Sequence, residues 1–132
     1  MHLAANSFSR EISQHFDAYF QQYKLATSYV ELLLLLHEHE KLSQKEIAEQ
    51  MNLAPSTITR FIKKLEKKGL TGKEKDGRSV LIVLSKKGRQ TVPELSKAYN
   101  RAKTDLEKKI GEKFVHTTGQ LLEHGVAVIK ED

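Results

Sequence analysis

The stretch SQKEIAEQMNLAPSTITRFIKKLEKKGL, residues 43–70, decides the fold. Ser43-x-x-Glu46 is a capping box, in which each side chain can bond the other's free backbone amide. It opens a short helix carrying Ile47, Ala48 and Met51. Asn52-Leu53-Ala54-Pro55 is a turn ending on a proline at the first helical position, where its missing amide costs nothing. Ile58, Phe61, Ile62 and Leu65 follow at three- and four-residue spacing, the mark of one helix face. Gly69 stands where a C-terminal cap glycine belongs. Two short helices joined by a tight turn form a helix-turn-helix.

Downstream the period changes. Lys73-Glu74-Lys75, Asp76-Gly77, then Arg78 to Leu84 reads as a hairpin. Asp-Gly favours a type I′ turn with positive φ at both positions, and Val80–Leu84 is strongly β-prone. Ser85 caps a long helix with Val92, Leu95, Tyr99, Ala102, Leu106 and Ile110 on one face; Pro93 lies inside it and should kink it or mark a later start. A last helix covers Glu112 to Lys130. Upstream, Phe8, Ile12, Phe16, Tyr19, Phe20 and Tyr23 mark an amphipathic helix capped by Asn6 or Ser7. A second capping box, Ser28-x-x-Glu31, opens a helix through Leu32–Leu36 that is apolar nearly all round and so central. The fold class is mainly α: a winged helix-turn-helix with a two-stranded β wing, flanked by N- and C-terminal helices. The flanking helices carry apolar stripes that so small a chain buries against a second copy, which makes the termini a dimerisation layer. The 132 residues are read as one domain, with a winged helix-turn-helix lobe at 27–88 and a helical dimerisation region at 1–26 and 89–132.

Charge singles out the lobe. The chain carries 22 Lys and Arg against 17 Asp and Glu, a formal net charge of +5. Between Ala54 and Arg78 eight bases face three acids, so this segment holds the whole excess. Cysteine is absent, which removes disulfides, thiolate metal sites and thiol nucleophiles. The longest apolar run, Leu32–Leu36, falls far short of the ~20 residues that span a bilayer. No Lys or Arg precedes an apolar core at the N-terminus, so no secretory signal is expected and the expected compartment is the cytoplasm.

Opposite its apolar stripe, the helix from Pro55 presents Ser56, Thr57, Thr59, Arg60, Lys63, Lys64 and Lys67. Small hydroxyl residues at its start let the helix approach base edges, and its free amides and dipole attract phosphate. Arginine can read guanine bidentately, whereas lysines grip backbone phosphates. Lys73 and Lys75 add charge from the hairpin, and Arg78 just past its tip suits a minor groove. The bland alternative, a solvated basic face, does not account for the coincidence of these cations with a helix-turn-helix and an Asp-Gly hairpin.

Ser43-Gln44-Lys45-Glu46-Ile47-Ala48, Leu53 to Arg60, Leu65 to Leu70, and Asp76-Gly77-Arg78 before Val80–Gly88 resemble the MarR family of winged helix-turn-helix regulators. The match is specific across 43–88 and architectural elsewhere. It implies a homodimer that binds double-stranded DNA at a pseudopalindromic operator, with half-sites about 10 bp apart. It also implies a recognition helix in the major groove and a wing in the minor groove. Carried over, Ser43, Gln44, Ser56, Thr57, Thr59 and Arg60 join the DNA face, and Arg78 is the wing contact oriented by Asp76. Family members commonly repress transcription and are released by a small aromatic effector; Phe16, Tyr19, Phe20, Tyr23 and Tyr99 are the candidates to line its pocket, or else plain core. Ala54 stands where the family usually has a capping serine, Gly72 where it often has arginine, and the wing is a few residues shorter.

Rival chemistries find little. His37-Glu38-His39-Glu40 suggests a metal, but helical residues two apart point to nearly opposite sides, so no metal and no cofactor is expected. His15, His116 and His124 read as packed or surface residues. There is no P-loop, GxGxxG, GxSxG or HExxH, so the chain is not read as an enzyme. The alternative function is a winged-helix protein–protein interaction module whose basic face meets an acidic partner.

Overall fold

The structure, a computed structural model, describes residues 1–131. Its elements run α1 (His2–Asp17), a 3-10 helix (Ala18–Tyr23), α2 (Thr27–His39), β1 (Lys41–Leu42), α3 (Gln44–Met51), α4 (Pro55–Lys67), β2 (Thr71–Asp76), β3 (Ser79–Leu84), α5 (Lys86–Ile110) and α6 (Glu112–Lys130). The helix-turn-helix, wing and long following helix therefore fall where the residue pattern puts them.

The local chemistry explains most boundaries. At Ser43 both arms of the capping box form: Glu46 N donates to Ser43 Oγ at 3.1 Å, and Ser43 N donates to Glu46 Oε1 at 2.9 Å. Asn52 ends α3 at φ 53°, a left-handed position that Asn tolerates better than most residues. Ala54 precedes α4 with no side-chain cap, as its methyl group dictates. Gly69, at φ 76°, closes α4, and the Leu70 amide returns to Leu65 O at 3.0 Å. Ser85 Oγ receives the Gly88 amide at 3.0 Å and donates to Gly69 O at 2.5 Å, tying the start of α5 to the end of α4.

Five expectations need correction. The first helix begins at His2 rather than Asn6 or Ser7, with no side-chain cap, and tightens into the 3-10 helix before Tyr23. The Ser28–Glu31 capping box does not form. Ala26 is the N-cap residue, the Thr27 amide and hydroxyl are held instead by Asp17 Oδ1 at 2.8 and 2.6 Å, and Glu31 accepts from the Tyr99 hydroxyl at 2.8 Å. The wing sheet has a third strand: β1 pairs antiparallel with β3 through Lys41↔Val83 and Leu42↔Ile82, giving the order β1-β3-β2. The hairpin closes Asp76↔Ser79 around Gly77 and Arg78, and of these four residues only Gly77 has positive φ, at 64°. One positive φ at the first loop position is the II′ pattern, not I′. Finally, Pro93 neither delays nor divides α5, which is continuous from Lys86.

The core joins the two regions. Phe20, Leu32, Leu33, Leu36, Ile47, Ile58, Ile62, Leu65, Ile82 and Leu95 are fully buried in a single cluster. Each such side chain contributes about 1.5–3 kcal/mol on burial, as an upper estimate. α2 is its centre, consistent with Leu32, Leu33 and Leu36 all at zero exposure. α6 is the opposite case. None of its residues is buried, and Phe114, Leu121, Leu122, Val126, Val128 and Ile129 are exposed.

Candidate nucleic-acid interface

α4 is held on three sides and open on the fourth. Ile58, Ile62 and Leu65 anchor its inner face in the core. Ser56, Arg60, Lys63 and Lys67 are exposed on the outer face, and helical spacing puts them on one strip. Proline at the start leaves no wasted donor there, and the uncapped Ser56 end faces outward with the positive end of the helix dipole.

The flanks are fastened by polar contacts. Thr59 Oγ1 donates to Gln44 Oε1 at 3.1 Å and to Pro55 O at 3.0 Å, so Gln44 and Thr59 meet at the junction of α3 and α4. Thr57 is half-buried, and Ser43 is engaged in its capping box. On the wing side, Lys73 Nζ lies 3.4 Å from Glu66 Oε1 of α4, an ion pair without hydrogen-bond geometry. Glu74, next in β2, pairs with Lys41 Nζ at 3.4 Å on the sheet edge. Both pairs are substantially exposed and stabilise little individually; their effect is to set where β2 lies. Lys75, Asp76 and Arg78 at the hairpin end are exposed. Among the described residues no ion pair joins Asp76 to Arg78. Gly77 separates the two at the turn, so the orienting contact implied for Asp76 is not made.

Lys64 departs from the outer strip. Its ammonium lies 4.7 Å from the ring centroid of Tyr29, on α2. That ring stacks on Phe61, with centroids 4.3 Å apart and planes at 28°. Tyr29 and Glu66 are the residues that sequence reasoning missed here. The i, i+3 spacing of Phe61 and Lys64 signals a shared helix edge, but nothing local to α4 names a partner thirty-two residues upstream.

The five candidate effector residues do not line one cavity. Phe20 is fully buried, and Phe16 nearly so. Their rings lie 6.3 and 5.2 Å from that of Tyr99. Phe16 and Tyr99 border a cleft of about 170 Å³ with Ile12, Thr27, Ser28 and Glu31. Burial, then the Glu31 carboxylate, push the Tyr99 hydroxyl well above the usual phenol range. Tyr19 borders a second cleft with His15, Asp105 and Lys109, and its hydroxyl donates to Asp105 Oδ2 at 2.5 Å. That bond raises its pKa, with burial and the Asp105 charge adding to it. Tyr23 faces a third cleft, beside Lys68 and Lys87. His37 and His39 are exposed, and among the described residues no group of three or more His, Asp or Glu side chains is arranged to hold a metal. No helix among the described residues is long and apolar enough to cross a membrane.

The family model described as MarR family matches residues 27–80. Among curated proteins, the chain is 36% identical over 83 residues to the organic hydroperoxide resistance transcriptional regulator of Bacillus subtilis, covering 61% of this chain and 56% of that protein. It is likewise 36% identical over 85 residues to the HTH-type transcriptional regulator SarZ of Staphylococcus aureus, covering 61% of this chain and 57% of that one. The chain thus spans about half the length of the curated relatives it matches. Among solved structures, the S. aureus MepR–DNA complex is similar with a TM-score of 0.81 and 20% identity, covering 97% of this chain and 96% of that one. A mutant MarR from E. coli complexed with operator DNA gives 0.82 and 15%, covering 93% and 91%. At such identities these two likenesses speak for the fold.

Proposed function

We propose that the chain is a MarR-type protein, as the family model matched over residues 27–80 supports, and that it is a sequence-specific DNA-binding transcriptional regulator. One observation carries the reading: the exposed strip of α4, Ser56, Arg60, Lys63 and Lys67, is free of acids. It lies in the same segment that holds the whole net charge. Two fold neighbours are DNA complexes, MepR and operator-bound MarR, which supports docking α4 in a major groove. In that docking Ser56 and Arg60 read base edges while Lys63 and Lys67 hold phosphates. Arg78 at the hairpin tip enters the adjoining minor groove, helped by Lys75. Gln44, Thr57 and Thr59 hold the geometry of the helix pair and border the groove.

The functional unit we propose is a homodimer. The bare apolar face of α6 supports this, because isolated exposed hydrophobics are ordinary but a contiguous face is an interface. In this reading 27–88 is the DNA-binding lobe, and 1–26 with 89–132 form the dimer layer. Two lobes related by a two-fold axis read a pseudopalindrome. The protein works as a cytoplasmic repressor without catalytic activity. A small aromatic effector that enters beside Phe16 and Tyr99, between the lobe and the dimer layer, releases it.

Selection of bound duplexes from a random pool, repeated with Arg60→Ala and Arg78→Ala, tests the reading. Wild type should enrich a pseudopalindrome, and each variant should lose affinity for it while melting as wild type does. Failure to enrich any sequence, or equal enrichment by all three proteins, refutes the proposal.

A further inference from the structure

We infer that Tyr29 and Lys64 form a phosphate clamp on the edge of α4 away from the wing, so that the duplex backbone is gripped on both sides of the recognition helix. This rests on the DNA-binding reading above and adds a contact from α2, an element outside the helix-turn-helix.

The geometry has three parts. Tyr29 sits in the first turn of α2 and is fixed face to face on Phe61, whose ring is itself packed against the core. Lys64, one turn beyond Phe61, lays its ammonium over the same Tyr29 ring at 4.7 Å, inside the range of a cation–π contact. Among the described residues neither the Tyr29 hydroxyl nor the Lys64 ammonium has a hydrogen-bond or ion-pair partner. A stiff phenol donor and a steadied cation therefore stand together without an acceptor. One anionic oxygen satisfies both, with a charge-assisted bond from each.

The surroundings favour an anion. Arg60 lies one turn before Lys64 on α4, Lys63 is its sequence neighbour, and Lys67 and the cap residue Lys68 follow about one turn later. On the α2 side, Asp17 already accepts both the amide and the hydroxyl of Thr27, and Glu31 accepts from the Tyr99 hydroxyl. On the other edge of α4, Glu66 holds Lys73, so the two edges differ: an acid ties down the wing lysine, whereas an aromatic ring presents Lys64. A lysine on bare solvent must lose rotamer freedom when it meets phosphate; the Tyr29 ring removes much of that loss beforehand. Tyr29 is thus a contact through its hydroxyl and a positioning residue through its ring.

The test uses the full chain and a fluorescently labelled mixed-sequence duplex, read by anisotropy across a salt series. Tyr29→Phe keeps the stack on Phe61 and removes only the hydroxyl; it should weaken binding about threefold with an unchanged salt slope. Lys64→Ala should weaken binding several-fold and lower the slope by about one. Tyr29→Leu should lose more than Tyr29→Phe, but no more than Tyr29→Phe does once Lys64 is already alanine. If Tyr29→Phe and Tyr29→Leu bind as wild type while Arg60→Ala weakens, the clamp is wrong and the DNA face stands. Full additivity of Tyr29→Leu and Lys64→Ala also overturns the clamp. If wild type binds no duplex, both readings fall. A lowered thermal midpoint in Tyr29→Leu leaves Tyr29→Phe as the deciding variant.

Discussion

Gly88 should not tolerate a methyl group, and the size of the effect can be worked out from the joint it occupies. A Cβ built on Gly88 would lie 2.1 Å from Leu70 O, 3.1 Å from Leu70 C and 3.3 Å from Leu84 Cδ2. Ordinary contact begins at 3.4 Å, so the first turn of α5 and the Leu70 backbone would have to part by about 1.3 Å, the difference between 3.4 and 2.1. Leu70 O also accepts the Ser85 amide at 3.0 Å, a bond that such a displacement breaks. Overpacking costs about 1–3 kcal/mol, and the broken bond adds roughly 0.5–1.5 kcal/mol. Against this, alanine gains up to about 1 kcal/mol of helix propensity over glycine. The clash wins, because its nearest atom is backbone and cannot rotate away. Gly88→Ala should therefore lose about 2 kcal/mol, or about 8 °C in Tm. Urea and thermal unfolding followed by circular dichroism, at matched protein concentration, measure it. Gly119→Ala serves as the opposite case: a Cβ there meets nothing within 4 Å, and the variant should gain about 0.5–1 kcal/mol. A Gly88→Ala protein as stable as wild type would refute the close packing of α5 on Leu70.

Four further outcomes are expected. Ser43→Ala removes the cap of α3 and should cost about 1 kcal/mol in urea unfolding. The backbone and side-chain bonds from Ser43 hold the Glu46 carboxyl below its ordinary range. A depressed folded pKa means stability present above the unfolded value and lost as pH falls through the folded one. Glu46→Gln should therefore flatten the acid limb of a stability–pH curve and leave its alkaline limb alone. Lys63→Ala should weaken all duplexes about equally, with the salt slope lowered by about one, which titrations at several salt concentrations read directly. Ile129→Glu, placing a charge on the bare face of α6, should halve the mass seen by sedimentation; an unchanged mass would remove α6 from the interface.

What was legible in the residues was whatever depends on near neighbours. Ser43 and Glu46 bond each other, Pro55 needs no partner, Gly69 answers to its own φ, and each is found as read. The failures share a cause in distant partners. Ser28 and Glu31 have the right spacing for a capping box, but Asp17 starts α2 and Tyr99 takes Glu31. β1 is two residues long and exists only because β3 lies beside it. The candidate DNA face was legible as an exposed strip, in the same partial way. Its strip of Ser56, Arg60, Lys63 and Lys67 follows from helical spacing alone. That Lys64 leans on Tyr29, and that Glu66 holds Lys73, depends on how α2 and the wing fold back on α4. The aromatic residues of the first helix were grouped by period, yet packing sends them into separate clefts.

The missing cap at Ala54 has a consequence for thermal behaviour. With a methyl group at that position and proline next, the Ser56 amide finds no acceptor from an N-cap side chain. The Thr57 and Ile58 amides turn back to Ala54 O at 3.0 and 3.1 Å. A serine at position 54 would satisfy such a donor in the folded protein whether or not an anion is bound. Alanine leaves the donor to water until an anion arrives. In the docking proposed above, the duplex would then complete α4. Melting should rise on complex formation by more than phosphate neutralisation accounts for, and Ala54→Ser should narrow the difference between free and bound protein by stabilising the free one.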